Sequence, residues 1–77
     1  MRPLPPSRLM AVWRDRAGRV VATVAQGVRI AQDGRPVAVY VTSIPGETQE
    51  RKTFACASRA INEWAVRSGL RLTAGPP

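Results

Sequence analysis

The sequence predicts an α+β fold: a small antiparallel β-sheet of three to four strands packed against one C-terminal α-helix. Three observations carry this prediction. From Leu9 to Ile44 the chain consists of short runs with apolar residues at alternate positions, each run ended by Gly, Pro or Asp-Gly. From Thr48 to Ser68 the apolar period changes from that of a strand to that of a helix. With 77 residues there is room for one domain and one modest core.

The elements follow in chain order. Three prolines within the first six residues make residues 1–8 a stiff, extended lead-in. Leu9 to Arg14 and Val20 to Ala25 read as two strands, joined by Asp15-Arg16-Ala17-Gly18-Arg19, a loop of hairpin length. Val28 to Gln32 and Arg35 to Ile44 read as a second pair around Asp33-Gly34, the dipeptide that type I′ turns favour. A two-residue turn there puts Val28, Ile30, Val37, Val39 and Val41 on one face, expected to be core. Arg29, Ala38, Tyr40 and Thr42 then fall on the opposite, open face. Pro45-Gly46 ends the last strand, and the helix is expected over Thr48 to Ser68, with Thr48 as N-cap, Glu50 in the first turn and Gly69 as the stop. Phe54, Ala57, Ile61, Trp64, Ala65 and Ser68 form its apolar stripe, with Lys52, Cys56, Arg59 and Glu63 behind. Leu70 and Leu72 either add a short strand or cover the core edge, which makes residues 9–72 the domain and residues 73–77 a loose tail.

Twelve Lys and Arg stand against five Asp and Glu with no His, a net charge of +7. All the basic residues but Lys52 are arginine, whose guanidinium holds phosphate or carboxylate through paired hydrogen bonds. Such a chain attracts phosphate backbones or acidic proteins and has little with which to run acid–base chemistry. No Ser or Cys has a visible base, the glycines lack the spacing of a phosphate loop, and one thiol with scattered carboxylates makes no ligand set, so neither an enzyme, a cofactor nor a metal site is expected. Cys56, between Lys52 and Arg59 on the helix wheel, reads either as a reactive thiol or, more simply, as a small residue beside the buried stripe. The single cysteine, the lack of an apolar leader and the lack of a membrane-spanning run point to the cytoplasm.

The candidate partner-binding residues are Arg14, Arg16 and Arg19 of the first loop, with Arg29, Arg35 and Tyr40 of the second hairpin. Trp64 belongs to the core by helical phase, while Trp13 borders the arginine loop and either fills the core or stacks on a ligand. Arginines beside an aromatic on an open sheet face hold phosphates and stack on bases, or form the centre of a protein interface.

Over Ala11 to Ser68, the order of strands followed by one helix resembles the arm-binding domain of tyrosine integrases and the plant AP2 domain, which lay a three-stranded sheet in the major groove. Arg51-Lys52 at the start of the last helix resembles, more distantly, the C-terminal half of a double-stranded RNA-binding domain. In length and in its lack of catalytic residues the chain also resembles small phage and mobile-element inhibitors of the anti-CRISPR type. That resemblance implies a non-enzymatic viral protein that blocks a nucleic-acid-processing complex by covering an acidic patch. Direct DNA or RNA binding by the same residues is the alternative. A structural or assembly subunit that forms a homodimer through the sheet edge at Val37 to Ile44 is the third.

Overall fold

The computed structural model describes residues 8–77; the predicted lead-in lies outside them except for Arg8. The chain runs β1 (Arg8–Arg14), β2 (Val20–Ile30), β3 (Pro36–Ile44), β4 (Glu47–Arg51), α1 (Phe54–Arg67) and β5 (Thr73–Gly75). The strands form one antiparallel sheet in the order β4-β3-β2-β1-β5, with α1 against one face. The α+β class is as the sequence predicts. The sheet has five strands rather than three or four, and the helix is followed by a strand rather than ending the fold.

Three departures have physical causes. First, Val20–Ile30 is a single strand where two short ones were expected, because Gly27 sits in the ladder opposite Val39 instead of turning the chain. Second, Thr48 does not cap the helix. Pro45 and Gly46 are the residues a type II turn takes at its centre, and they send the chain straight back along β3 as β4. The cap is Thr53, whose hydroxyl accepts the N–H of Cys56 at 3.0 Å. Third, Thr73–Gly75 is not a loose tail but pairs with Val12 to Arg14.

The largest correction concerns the second hairpin. The N–H of Gly34 donates to the Ala31 carbonyl and that of Ala31 to the Arg35 carbonyl, both at 2.9 Å, and Gly34 has a φ of 86°. This is a three-residue loop closed by a left-handed glycine, and it pairs Ile30 with Pro36 and Val24 with Thr42. Relative to a two-residue turn the register moves by one residue, which turns every β3 side chain over. Tyr40, Thr42 and Ile44 therefore face the helix, whereas Val37, Val39 and Val41 lie with Arg29 on the open face.

The core lies between α1 and the sheet: Ala11, Trp13, Ala22 and Val24 meet Ala57 and Ile61, with Tyr40, Ile44, Trp64 and Leu72 around them. Ala57, Ile61 and Ala65 are the buried stripe of α1, as its periodicity predicts. Phe54, at the end of that stripe, is 38% exposed and meets Tyr40 edge-on at 6.2 Å. Trp13 is 2% exposed and gives its indole N–H to Asn62 Oδ1 at 3.0 Å, so its polar edge is satisfied and it ties β1 to the helix. That settles Trp13 as a core residue. The second hairpin runs on past the helix, leaving Val28 and Ile30 exposed on the helix side.

Candidate binding surface

The first loop is organised by Asp15. Its Oδ1 accepts the backbone N–H groups of Ala17 and Arg19 at 2.9 and 3.0 Å, its own N–H donates to the Arg19 carbonyl, and Gly18, with a φ of 81°, donates to the Asp15 carbonyl. The loop is thus held from inside, and its arginines are left at the periphery. Arg14 Nη1 donates to the Gly18 carbonyl at 3.1 Å. Arg19 lies 3.5 Å from Asp15 with its side chain 82% exposed, a weak pair in water. Arg16 makes no ion pair among the described residues.

A further arginine joins them from the other end of the chain. Gly69 and Leu70 close the helix through bonds to the Val66 and Ala65 carbonyls, and β5 then pairs with β1, which carries Leu70, Arg71 and Leu72 beside the loop. Together they enclose an open depression of about 660 Å³ that includes Arg16, Arg19 and Arg71 on its rim and Val21, Leu70 and Leu72 among its apolar lining. Val21 is the extra residue of a β-bulge opposite Trp13 and Arg14, a device that re-aims a side chain. Counting Arg14, Arg16, Arg19 and Arg71 against Asp15, this end of the molecule carries four positive charges and one negative, a net of +3.

The other three predicted residues are elsewhere. Arg35 sits at the opposite tip, roughly 30 Å away along the length of β2. It is bound to Asp33 by both its backbone N–H and its Nε. Arg29 lies on the open face, paired with Glu50 at 3.0 Å. Tyr40 is turned to the helix side, where its hydroxyl receives a hydrogen bond from Gln26 at 3.4 Å. The structure therefore brings Arg14, Arg16 and Arg19 together, separates them from Arg29, Arg35 and Tyr40, and adds Arg71. Nothing local in the sequence marks Arg71, which reaches this end only through the pairing of β5 with β1.

The open face is not the arginine-rich surface expected. By register it carries Leu9, Val12, Ala25, Val37, Val39 and Val41 together with Arg14, Thr23, Ser43, Thr48, Glu50 and Thr73, and its Arg29 is paired with Glu50. Cys56 is exposed on α1. Among the described residues no group of three or more His, Cys, Asp or Glu side chains is placed to hold a metal ion, and no helix is long and apolar enough to cross a membrane. No protein-family profile matches the chain, and no curated protein or solved structure matches it significantly.

Proposed function

We propose that this chain is a non-enzymatic, cytoplasmic binding protein that uses its arginine-rimmed end to cover an acidic patch on a nucleic-acid-processing complex, in the manner of a phage-encoded inhibitor of the anti-CRISPR type. The observation that supports this reading is the +3 end itself: Arg16, Arg19 and Arg71 line one depression with Val21, Leu70 and Leu72, and Arg14 reaches the same loop at the Gly18 carbonyl. Arginine around a desolvated apolar centre is the composition of a protein–protein hot spot. A groove-reading sheet, by contrast, needs polar and cationic groups at the centre of its open face, and here that centre is Ala25, Val37, Val39 and Val41, with the neighbouring Arg29 paired to Glu50. This weighs against the manner of binding seen in AP2 and arm-binding domains and makes direct nucleic-acid binding the second reading.

The test is capture from a bacterial lysate by the tagged chain, with and without nuclease, alongside the Arg14→Ala/Arg16→Ala/Arg19→Ala variant. Proteins that survive nuclease at stoichiometric yield and are lost from the variant support the proposal. Loss of all binding on nuclease treatment, together with a steep fall in affinity as salt rises, replaces it with phosphate-backbone binding. Full retention by the folded triple variant moves the site away from this end of the molecule.

A further inference from the structure

Strand β4 closes one side of the sheet, and no strand among the described residues pairs with its outer edge. An uncovered edge is a template for another strand, and β4 has no proline to blunt it. Its backbone direction follows from the tight Pro45-Gly46 turn. Ile44 and Glu47 flank that turn, so the pairs 44/47, 42/49 and 40/51 exchange hydrogen bonds within the sheet. The N–H and C=O groups of Thr48 and Glu50 therefore point outward, free to pair.

The side chains of this strand have an order that suits one partner. On the helix-side face stand Glu47, Gln49 and Arg51, in register with Ile44, Thr42 and Tyr40. They read negative, neutral, positive along the strand. A two-fold axis through Gln49 lays that order on its own reverse, so that each negative end meets a positive one. We propose that two copies of this chain pair antiparallel through β4 about such an axis, joining their five-stranded sheets into one of ten strands.

In this arrangement Glu47 faces Arg51 of the partner subunit, and Arg51 faces Glu47 of the partner subunit. Both are pairs of the closely spaced, non-hydrogen-bonded kind, about 4.5 Å between Cα atoms. On the other face Thr48 stands opposite Glu50 of the partner subunit, where the hydroxyl donates to the carboxylate and the two backbones exchange hydrogen bonds. Neighbouring registers are worse. Sliding one way sets Glu50 against Glu50 of the partner subunit, and sliding the other way sets Glu47 against Gln49 of the partner subunit and loses both ion pairs.

The isolated chain carries a matching deficit. Glu47, Gln49 and Arg51 are linked along the strand by side-chain hydrogen bonds, Gln49 donating to Glu47 and Arg51 Nη2 donating to Gln49 Oε1. The Nε–H of Arg51 is nevertheless buried and has no acceptor among the described residues. Beside it lies a cavity of about 250 Å³ between β4 and α1, lined by the chain's own Glu47 and Glu63, neither of which bonds this N–H, as well as by Thr42, Gln49, Trp64 and Arg67. A carboxylate entering from the edge supplies the acceptor that Arg51 lacks. The homodimer edge expected from the sequence, Val37 to Ile44, is not available for this purpose, because β3 is covered by β2 on one side and β4 on the other.

The test is sedimentation equilibrium of the full chain and of three variants, each checked for native helix content by circular dichroism. The wild type is expected to be dimeric. Arg51→Glu and Glu47→Arg, each of which replaces two ion pairs by two like-charge contacts, should each weaken association about 10- to 100-fold. Thr48→Pro deletes an outward N–H while leaving the β3–β4 ladder intact and should weaken it similarly. Mixing the two charge-reversed variants should restore a dimer, resolved as a heterodimer by native mass spectrometry. A wild type that stays monomeric at about 1 mM overturns the proposal. So does a dimer indifferent to all three substitutions, or a mixture that associates no better than its separate components.

Discussion

The two hairpin tips of this molecule have the same backbone and opposite electrostatics. In Asp15-Arg16-Ala17-Gly18-Arg19 and in Ala31-Gln32-Asp33-Gly34-Arg35 the fourth residue is a glycine of positive φ that donates to the first carbonyl, and the first N–H donates to the carbonyl of the closing arginine. The first tip carries its acid at the start, where Asp15 serves mainly the backbone and leaves Arg16 without an ion pair among the described residues. The second carries its acid in the middle, where Asp33 is absorbed by Arg35. The first tip also rests beside the helix and β5, while the second extends beyond the helix into solvent. A turn type thus determines neither charge display nor anchorage; both depend on where the acid falls and on what packs behind the loop.

The difference in anchorage has the largest consequence. Trp13→Ala removes a buried indole and its bond to Asn62 from the foot of the first hairpin, and should cost about 3–5 kcal/mol of stability. For a domain of this size, such a loss is comparable to the total stability. Ile30→Ala, 61% exposed in the arm of the second hairpin, should change stability by no more than about 0.5 kcal/mol. Urea unfolding of the two variants checks both, and similar losses would mean that the second hairpin is anchored as firmly as the first.

The same contrast shows what the sequence could reveal. Local chemistry was legible: the positions of both turns, the antiparallel pairing and the α1 stripe follow from residues near one another in the chain. Register was not, because Asp-Gly serves a two-residue type I′ turn and a three-residue loop with a left-handed glycine equally well. One residue of difference exchanged Val39 for Tyr40 on the helix face. Strand β4 escaped notice because Glu-Thr-Gln-Glu-Arg at a sheet edge is polar on both faces and has no apolar period. In the candidate site, Arg14, Arg16 and Arg19 were readable because one loop holds them. Arg71 was not, since it arrives only through the pairing of β5 with β1. Arg29, Arg35 and Tyr40 had seemed to be neighbours because sequence separation hides the length of β2.

Charge display is the next contrast to test. Matched double variants, Arg16→Gln/Arg71→Gln at the first tip and Arg29→Gln/Arg35→Gln on the second hairpin, remove the same charge from the whole molecule. Against a partner recovered by capture, the first pair should weaken binding by roughly 10- to 100-fold. The second pair, whose arginines already have acids, should change it by less than about threefold. Isothermal titration calorimetry distinguishes them, and equal losses would mean that the partner senses overall charge rather than this end.

The shared turn design predicts an effect that does not discriminate. Gly18→Ala and Gly34→Ala each place a Cβ on a residue of positive φ, and neither Cβ would meet another atom within 4 Å. The cost is therefore backbone strain alone, about 1–2 kcal/mol and similar at the two tips. Asn in either place should recover part of it, because its side chain tolerates the left-handed region. Thermal melts of the four variants measure this, and a much larger loss at one site would show that the two loops are not equivalent.

The smallest effect isolates the role of Asp15. Asp15→Ala removes the acceptor of two backbone N–H groups and should cost about 1 kcal/mol, whereas Asp33→Ala, which accepts one, should cost about half as much. Asp15→Asn keeps a carbonyl oxygen where Oδ1 stands and so retains both backbone bonds, losing only the exposed ion pair with Arg19. Stability should stay near wild type while the net charge of this end rises from +3 to +4. If the arginine-rimmed end docks on an acidic surface, Asp15→Asn should bind faster at low salt, with the gain fading as salt is added, and stopped-flow association rates measure this directly. A variant that instead loses stability as Asp15→Ala does would show that the carboxylate charge, rather than its geometry as an acceptor, holds the loop.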